Sequence, residues 1–217
     1  MRHRVLAPAD YRRLRWKNGK GYTTEIAQHP PGADLETFTW RASIAEIAQS
    51  GPFSQFPGVT RSLVLISGDG MHLDRAAGPL DLRTPFEVVE FDGADAVLCA
   101  LAGGPVRAFN LMLRRPGARG CVTIVHGRDE AIPPASFTLC HAAAGASECL
   151  LPGGSSIVVD EGCALVVDCT AAPDAEPGAI RVHPASQGSV AVVATIATIA
   201  TGPAHASGPA ISPAAST

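Results

Sequence analysis

Residues 38–45 read Phe38-Thr39-Trp40-Arg41-Ala42-Ser43-Ile44-Ala45. Apolar and polar side chains alternate through this segment, and successive side chains of a β-strand point to opposite faces. Trp40 and Ile44 therefore share one face, which is expected to pack into a core. Arg41 and Ser43 share the reverse face and carry a cation and a hydroxyl into the space that they meet. The segment predicts a β-strand with one packed side and one side available to a ligand.

The same two-residue period recurs along the 217-residue chain, which contains 22 Gly and 18 Pro. Strand-like segments follow one another every ~8–12 residues and are separated by turn residues, a spacing typical of sandwiches and barrels rather than of βαβ units. The pattern predicts an all-β chain built from packed sheets in jelly-roll style, with two stacked barrels as one arrangement. Clear examples in the first half are 61–66, 86–91, 96–101 and 106–115.

The connecting segments carry their own predictions. Ser67-Gly68-Asp69-Gly70 separates two apolar runs and predicts a hairpin. A short helical turn is predicted over residues 10–14. Residues 201–217 are rich in Ala, Ser and Pro without a periodic pattern, so we expect a disordered tail.

Charge and hydropathy exclude several classes of protein. The net charge is −3, so there is no broad basic field to attract nucleic acid or an anionic membrane. No run reaches the ~18 apolar residues that a transmembrane helix needs, and the basic start of the chain lacks the apolar run of a secretory signal. We therefore predict a cytoplasmic protein with no nucleic-acid or membrane partner.

Cysteines and histidines point away from disulfides and metals. The six cysteines include no CxxC pair, and most lie among apolar residues, which predicts reduced, buried thiols. None of the seven histidines lies within four residues of another, so a metal site would need ligands from distant pairings. The sequence predicts no metal and no other cofactor.

Motifs for catalysis are weak, and an enzyme is the less favoured hypothesis. There is no Gly-x-Ser-x-Gly elbow, and Cys140 and His141 are adjacent in a strand and so point to opposite faces. Gly19-Lys20-Gly21 lacks a preceding strand and the rest of a phosphate-loop pattern. General acid–base catalysis would require carboxylates that are distant in sequence to lie close together, and their spacing in the sequence does not show that they do. We predict no catalytic residues.

The hypothesis that remains is that the protein binds a small anion. Arg41 and Ser43 share a strand face, and Arg61 begins another strand nearby in the sequence. Lys17 and Asn18 lie in a glycine-rich loop whose backbone N–H groups can also bind an anion. Because a guanidinium group recognises a carboxylate through two parallel hydrogen bonds, these residues suit an acidic metabolite.

At these residues the chain resembles the HutD/Ves family, most strongly over residues 4–115. The resemblance lies in an ordered series of motifs rather than in one signature. They are Trp16-Lys17-Asn18-Gly19, Thr23-Thr24-Glu25-Ile26, Phe38-x-Trp40-Arg41-x-Ser43-x-Ala45, Gly51-Pro52-Phe53-Ser54-x-Phe56-Pro57-Gly58, Arg61, Gly68-x-Gly70 and Phe109-Asn110-x-Met112-x-Arg114-Arg115.

The resemblance implies a cupin fold, a double-stranded β-helix, arranged as a bicupin with two stacked barrels. We expect one barrel over residues 1–115 and a second over 116–200, within a single compact unit. Members of the family lack the usual cupin metal ligands and are frequently homodimers.

The resemblance also implies a function linked to bacterial histidine utilisation. HutD is thought to modulate that pathway, with an acidic intermediate such as formylglutamate or urocanate as its ligand. Matching motifs carry over the ligand-binding positions Lys17, Asn18, Thr24, Arg41, Ser43 and Arg61.

Other hypotheses stay open at this stage. The chain could be an isomerase or hydrolase acting on a small carboxylate, or a stress-related protein of the Ves type. It could also be an interaction protein whose barrel serves only for dimerisation.

Overall fold

The computed structural model describes residues 1–16, 21–170 and 178–199. Within these ranges the chain consists of β-strands and one short 3₁₀ helix, Pro8–Asp10, which confirms the all-β prediction. The predicted tail, 201–217, lies outside the described residues. The strands are β1 Arg2–Leu6, β2 Arg12–Arg15, β3 Gly21–His29, β4 Trp40–Ile47, β5 Gly51–Pro52, β6 Val59–Ser67, β7 Met71–Asp74, β8 Leu80–Leu82, β9 Val88–Asp92, β10 Leu98–Leu101, β11 Val106–Arg114, β12 Ala118–His126, β13 Glu130–Ile132, β14 Phe137–Ala144, β15 Ser147–Leu150, β16 Ser156–Val159, β17 Ala164–Asp168, β18 Ile180–Pro184 and β19 Val190–Thr198.

These strands pair into four sheets. The six-stranded sheet has the order β2-β3-β4-β11-β6-β9, and a four-stranded sheet, β5-β10-β7-β8, comes from the same half of the chain. The five-stranded sheet has the order β1-β17-β14-β19-β12, and a second four-stranded sheet, β13-β18-β15-β16, accompanies it. Few strands are paired with their immediate successor, so most pairings join segments that are distant in sequence.

Three apolar cores hold the sheets together. The central core lies between the six-stranded and five-stranded sheets and includes Trp40 and Phe137. The first interior lies between the six-stranded sheet and the first four-stranded sheet, and includes Leu65 and Leu73. The second interior lies between the remaining two sheets and includes Val182. The sheets therefore stack in four layers, with the two larger sheets in the middle.

Strand β4 shows how the two-residue period places side chains in different cores. Trp40 and Ile44 lie in the central core, whereas Ile47 lies in the first interior. Arg41 and Ser43 are on the same face as Ile47 because they alternate with Trp40. The division of this strand into a packed face and a polar face, as the sequence indicated, is confirmed.

The predicted hairpin at residues 67–70 is wrong. Strand β6 ends at Ser67 and β7 begins at Met71, but β6 pairs with β9 and β11, whereas β7 pairs with β8 and β10. Gly68 and Gly70 have φ values of 106° and 101°, which favour glycine, and the turn carries the chain from one layer to the next. A β-carbon on Gly68 would lie 2.7 Å from the Pro105 carbonyl oxygen, so this crossing is also tightly packed.

Two other local predictions are corrected. The helical turn predicted at residues 10–14 ends at Asp10, and residues 12–15 form β2. The strand predicted from Phe86 begins at Val88, because Phe86 has a φ of 66°, outside the range of a strand.

The first strand joins the sheet formed mainly by the second half of the chain. Strand β1 pairs with β17, and Arg2 lies opposite Asp168 while Leu6 lies opposite Ala164. The layered arrangement is compatible with two stacked barrels, but the division into units at residues 1–115 and 116–200 stays a prediction.

All six cysteines are free, as predicted. Cys99, Cys140 and Cys149 are buried in apolar cores, whereas Cys121 is exposed. Within the described ranges, no helix has the length and apolar character that crossing a bilayer requires.

A buried histidine lies in the central core. His141 is opposite Ala164 and Val192, stacks on Phe109 with ring centroids 6.2 Å apart, and is 2% exposed. Its Nδ1 lies 3.0 Å from the Cys163 carbonyl oxygen, which can only accept, so the ring donates this hydrogen bond. Burial lowers the pKa of His141 to about 4.

The pKa of His141 predicts a loss of stability in mild acid. Because the folded-state pKa lies below the ordinary value, the contribution is present above about pH 6.5 and is lost as the pH falls towards 4. Between pH 7.5 and pH 5 the protein should lose about 2 kcal/mol more free energy of unfolding than a His141→Gln variant. Urea titrations at both pH values test this, with the exposed His126→Gln as control. Equal losses in all three proteins would contradict it.

Candidate functional site

Two rows of side chains on the six-stranded sheet form the candidate site. In antiparallel sheets, residues directly opposite each other point to the same face. Strand pairing therefore defines the rows across β3, β4, β11, β6 and β9, and both point into the first interior. We call them the polar rows: the first is Gln28, Arg41, Met112, Arg61 and Phe91, and the second is Glu25, Ser43, Asn110, Leu63 and Val89.

Apolar layers enclose the polar rows on both sides. Towards one end of the sheet, Leu65, Ala108 and Ile47 belong to the core of the first interior. Towards the other end, Met112 packs with Phe38 and Val59 in a separate apolar cluster. Charged groups in this position are largely removed from water, so each needs a partner to offset its lost hydration.

Arg41 has such a partner in Glu25. Its Nε donates to Glu25 Oε2 at 2.7 Å, and the two side chains are 6% and 14% exposed. The pairing of β3 with β4 shifts between Glu25 and Ala27, which is a β-bulge around Ile26. The bulge keeps both Glu25 and Gln28 on the face that Arg41 occupies.

Arg61 has no carboxylate partner within the described part of the chain. Its Nε and Nη2 lie 3.4 Å and 3.5 Å from Asn110 Oδ1, and its Nη1 lies 3.4 Å from the Ser54 carbonyl oxygen. These distances exceed those of well-formed charge-assisted hydrogen bonds, which are about 2.7–2.9 Å. The group is 7% exposed. Arg61 is thus a buried cation with only weak acceptors.

Three phenyl rings surround the Arg61 guanidinium group. The Arg61 Cζ lies 5.4 Å, 5.8 Å and 5.0 Å from the ring centroids of Phe53, Phe56 and Phe91. Burial, and then the nearby charge of Arg41, lower the pKa of Arg61 to about 10. The group still carries its charge at neutral pH, and the rings leave its planar fork in an apolar surrounding.

Ser43 adds a hydroxyl without a partner. Its side chain is fully buried, and no hydrogen-bond partner for Oγ is present among the described residues. In the second polar row it lies between Glu25 and Asn110. An unpaired buried hydroxyl is costly, so this atom is available to a bound polar group.

The structure brings together three of the six predicted ligand-binding residues: Arg41, Ser43 and Arg61. Thr24 is not with them, because it lies opposite Ile44 and faces the central core side of the sheet. Its neighbour Thr23 lies opposite Ala45 and faces the first interior. The remaining two, at positions 17 and 18, lie outside the described residues.

Sequence reasoning did not select Glu25, Gln28 or Asn110. Glu25 and Asn110 both lie in motifs of the family resemblance, and the alternation of Asn110 with Phe109 alone places Asn110 on the polar face. Glu25 and Gln28 depended on recognising β3, which the glycine-rich start of the segment obscured, and on the bulge between them. Because of the bulge, Glu25 and Gln28 point to the same face although they are three positions apart in the sequence rather than two or four.

The polar rows lie within the segment that matches a known protein family. The sequence profile of HutD proteins matches residues 8–178. The chain belongs to the HutD family. This confirms the predicted resemblance, and the match extends well beyond residue 115 into strands of the second half.

Relatives support the HutD assignment. An uncharacterized 21.2 kDa protein in the hutC 3′ region of Pseudomonas putida is 38% identical over 149 residues, which cover 69% of this chain and 78% of the relative. Protein Ves of Escherichia fergusonii is 36% identical over 110 residues, or 50% of this chain and 56% of Ves. The chain thus spans about half the length of that Ves protein.

Solved structures establish the fold of this HutD-family chain. HutD from Pseudomonas fluorescens SBW25, in a formate condition, aligns with a TM-score of 0.76 and 30% identity over 91% of this chain and 100% of that one. A cupin 2 conserved barrel domain protein from Leptotrichia buccalis aligns with a TM-score of 0.53 and 9% identity over 84% and 92% of the two chains. The second likeness concerns the fold alone and confirms a cupin fold.

The His, Cys, Asp and Glu side chains that the structure describes do not cluster into a metal site in this cupin. Across residues 1–16, 21–170 and 178–199, no group of three or more His, Cys, Asp or Glu side chains could hold a metal ion. Exposed His72 instead contacts Asp81, with Nδ1 and Oδ1 2.9 Å apart.

Proposed function

We propose that this HutD-family cupin binds a small organic acid at the polar rows and thereby modulates histidine catabolism. The observation that carries the proposal is Arg61, a buried guanidinium group that has no carboxylate partner among the described residues. It lies in the same row as Arg41, with Met112 between them. Formylglutamate and urocanate-like acids are the candidate ligands. The proposal needs no metal, because guanidinium groups supply the positive charge.

Energetics favour a carboxylate as the missing partner. A buried cation without a counter-charge destabilises the protein, and the long hydrogen bonds of Arg61 to Asn110 and Ser54 offset little of that cost. A carboxylate can accept two parallel hydrogen bonds from a guanidinium fork. The unpaired hydroxyl of Ser43 is in the adjacent row and can bond a second polar atom of the ligand.

We propose binding rather than turnover. General acid–base catalysis needs a side chain free to exchange a proton with the substrate. The carboxylate within the polar rows, Glu25, already accepts a short hydrogen bond from Arg41. Arg61 and Ser43 can orient an acid, and among the described residues neither side chain has a hydrogen bond to a carboxylate or an imidazole.

The link to histidine catabolism rests on relatives. The P. putida relative is described by its place in the hutC 3′ region, and the P. fluorescens relative is named HutD. We propose that the present chain shares their pathway. A strain carrying an Arg61→Met variant should then match a deletion strain in histidine-dependent growth.

Thermal unfolding with added ligands tests binding. Formylglutamate or urocanate at millimolar concentration should raise the melting temperature, because a ligand of the folded state stabilises it by about 2.7 kcal/mol at 100 times its Kd. The corresponding primary amides, which lack the charge, should have no effect. If none of the acids stabilises a protein whose circular dichroism shows an intact fold, the proposal is wrong.

A further inference from the structure

We propose that the free edge of β12 is an interaction surface on which a second copy of this chain adds its own β12 in antiparallel orientation. Strand β12 lies at one end of the five-stranded sheet and pairs with β19 along its whole length. On its other side, no strand in the described part of the chain pairs with it. The inference does not depend on the proposed function, because the polar rows lie on the six-stranded sheet.

Strand β12 is the longest strand at any sheet end that the structure describes. It has nine residues, whereas β1 and β9, the next longest of the end strands, have five each. Residues 118–126 also pair one to one with 198–190, without a bulge. The outer side of β12 therefore presents a long, regular row of backbone N–H and C=O groups, and such an edge is a template for pairing with another strand.

The side chains of β12 do not protect this edge. Exposed edges are commonly blunted by charged side chains, by proline or by a bulge. Each of β1 and β2 carries two or more arginines, and β9 carries two carboxylates. In β12, residues 120–125 read Gly-Cys-Val-Thr-Ile-Val, and Arg119 precedes them. Residues 120–125 thus lack all three kinds of protection.

Two apolar side chains of β12 are left half-covered. Val122 and Ile124 pack against the central core but are only partly buried. Their partners on β19, Ala194 and Val192, are fully buried. The difference arises because β19 has a described strand on both sides, whereas β12 has one on a single side. A strand added beyond β12 would cover the exposed parts of Val122 and Ile124.

A second copy of the same strand suits this edge better than a charged partner does. Residues 120–125 offer no charge for an acidic or basic segment to complement. Antiparallel pairing of the whole strand places a two-fold axis at Val122, which then lies opposite its own counterpart. Arg119 lies opposite Val125 of the second copy, so no like charges face each other. Such self-complementary contacts are the commonest way in which identical chains associate.

The size of this contact reaches the range of specific interfaces. Nine residues at about 3.3 Å each span about 30 Å, and layers packed about 10 Å apart make the edge about 20 Å wide. These dimensions correspond to about 600 Å² for each copy, or about 1,200 Å² in total, which is where stable, specific interfaces begin.

A Cys121→Lys variant tests the interface. Cys121 is exposed and lies next to the proposed axis, so the substitution brings two positive charges together, one from each copy. Sedimentation equilibrium under reducing conditions should show a dimer for the unaltered protein. Cys121→Lys should raise the dissociation constant of that dimer by about 30-fold or more.

Two control variants make the result specific to β12. Cys121→Ser adds no charge, and Val5→Lys adds one at a 46% exposed position on the edge strand β1, so both should remain dimers. A monomeric unaltered protein would overturn the inference and leave the edge to an extended segment of another protein. A dimer that Cys121→Lys does not weaken, or that Val5→Lys weakens equally, would overturn it as well.

A disulfide trap tests the register and does not rely on the folding of Cys121→Lys. In a Cys121→Ser background, Val122→Cys places two thiols directly opposite each other, at a Cα separation of about 4.5–5.5 Å that a disulfide can span. Mild oxidation should then yield a covalent dimer. Arg119→Cys in the same background is the control, because its two copies lie about 20 Å apart along the strands. Covalent dimers in equal yield from both variants, or from neither, contradict the proposed pairing.

Discussion

An Arg61→Met variant is expected to lose about 100-fold in affinity for carboxylates while its free energy of unfolding stays the same or rises. Hydrogen bonds to charged groups contribute about 1.5–3 kcal/mol, and the upper end of that range corresponds to about 100-fold in Kd. The ligand loses its main anchor because Arg61, unlike Arg41 in the same row, has no carboxylate partner among the described residues.

The free energy of unfolding of Arg61→Met is not expected to fall along with its affinity for carboxylates. Arg61 is 7% exposed, and methionine is a flexible apolar side chain that can fill the space among the surrounding phenyl rings. Replacing a poorly compensated buried charge with an apolar side chain is often neutral or stabilising, by about 1–4 kcal/mol. The cation–π contacts offset part of this gain, so a change between zero and about 1 kcal/mol is expected.

Three variants make the result specific. Arg119→Met removes the same charge from an exposed position on β12 and should bind carboxylates normally. Thr24→Val changes the opposite face of β3 and should also bind normally. Arg61→Lys keeps the charge without the planar fork and should bind about 10-fold more weakly than arginine. An Arg61→Met protein that binds formylglutamate or urocanate with unchanged affinity would refute the site.

The two-residue period predicted the parts of the site that lie on one recognised strand. In β4 the alternation alone separates Trp40 from Arg41 and Ser43, and the structure agrees. Alternation is a local property of the extended backbone, so it can be read without knowing the partner strands. The position of Arg61 in the same row as Arg41 depends on β11 lying between their strands, which local sequence does not specify.

Glu25 and Gln28 could not be assigned to the site from the local sequence alone. Thr24 and Glu25 are adjacent, and only the pairing of β3 with β4 decides which of them faces Arg41. The bulge around Ile26 then changes the phase of β3, so a uniform alternation fails beyond it. Glu25 was therefore hidden by the unknown pairing, and Gln28, which follows the bulge, by the change of phase.

The hairpin prediction at Gly68 and Gly70 was wrong for a related reason. Two glycines with positive φ suit a tight hairpin and equally suit a turn that leaves the sheet. The choice is made by which sheet offers a partner to β7, a contact with residues 80–82 and 98–101 further along the chain. Burial of Met71 and Leu73 in the first interior favours the crossing.

A Trp40→Ala variant should produce the largest loss of stability, about 3–5 kcal/mol. Trp40 is 1% exposed in the central core, with its ring centroid 5.2 Å from that of Phe137 on the facing sheet. The His29 ring contacts both, with its centroid 6.4 Å from that of Trp40 and 4.8 Å from that of Phe137. Domains are commonly stable by only 5–15 kcal/mol, so the loss would be a large part of the total.

The cost of removing Trp40 is expected to arise from the cavity and the lost apolar burial alone. Its Nε1 has no hydrogen-bond partner among the described residues, so no hydrogen bond is broken. Trp40→Phe keeps an aromatic ring against Phe137 and should cost less than half as much as Trp40→Ala. Urea titrations followed by circular dichroism measure both variants, and Leu150→Ala, at a position that is 41% exposed, should cost less than about 1 kcal/mol. If Trp40→Ala costs no more than Leu150→Ala, the contact between the two large sheets does not stabilise the protein as its burial indicates.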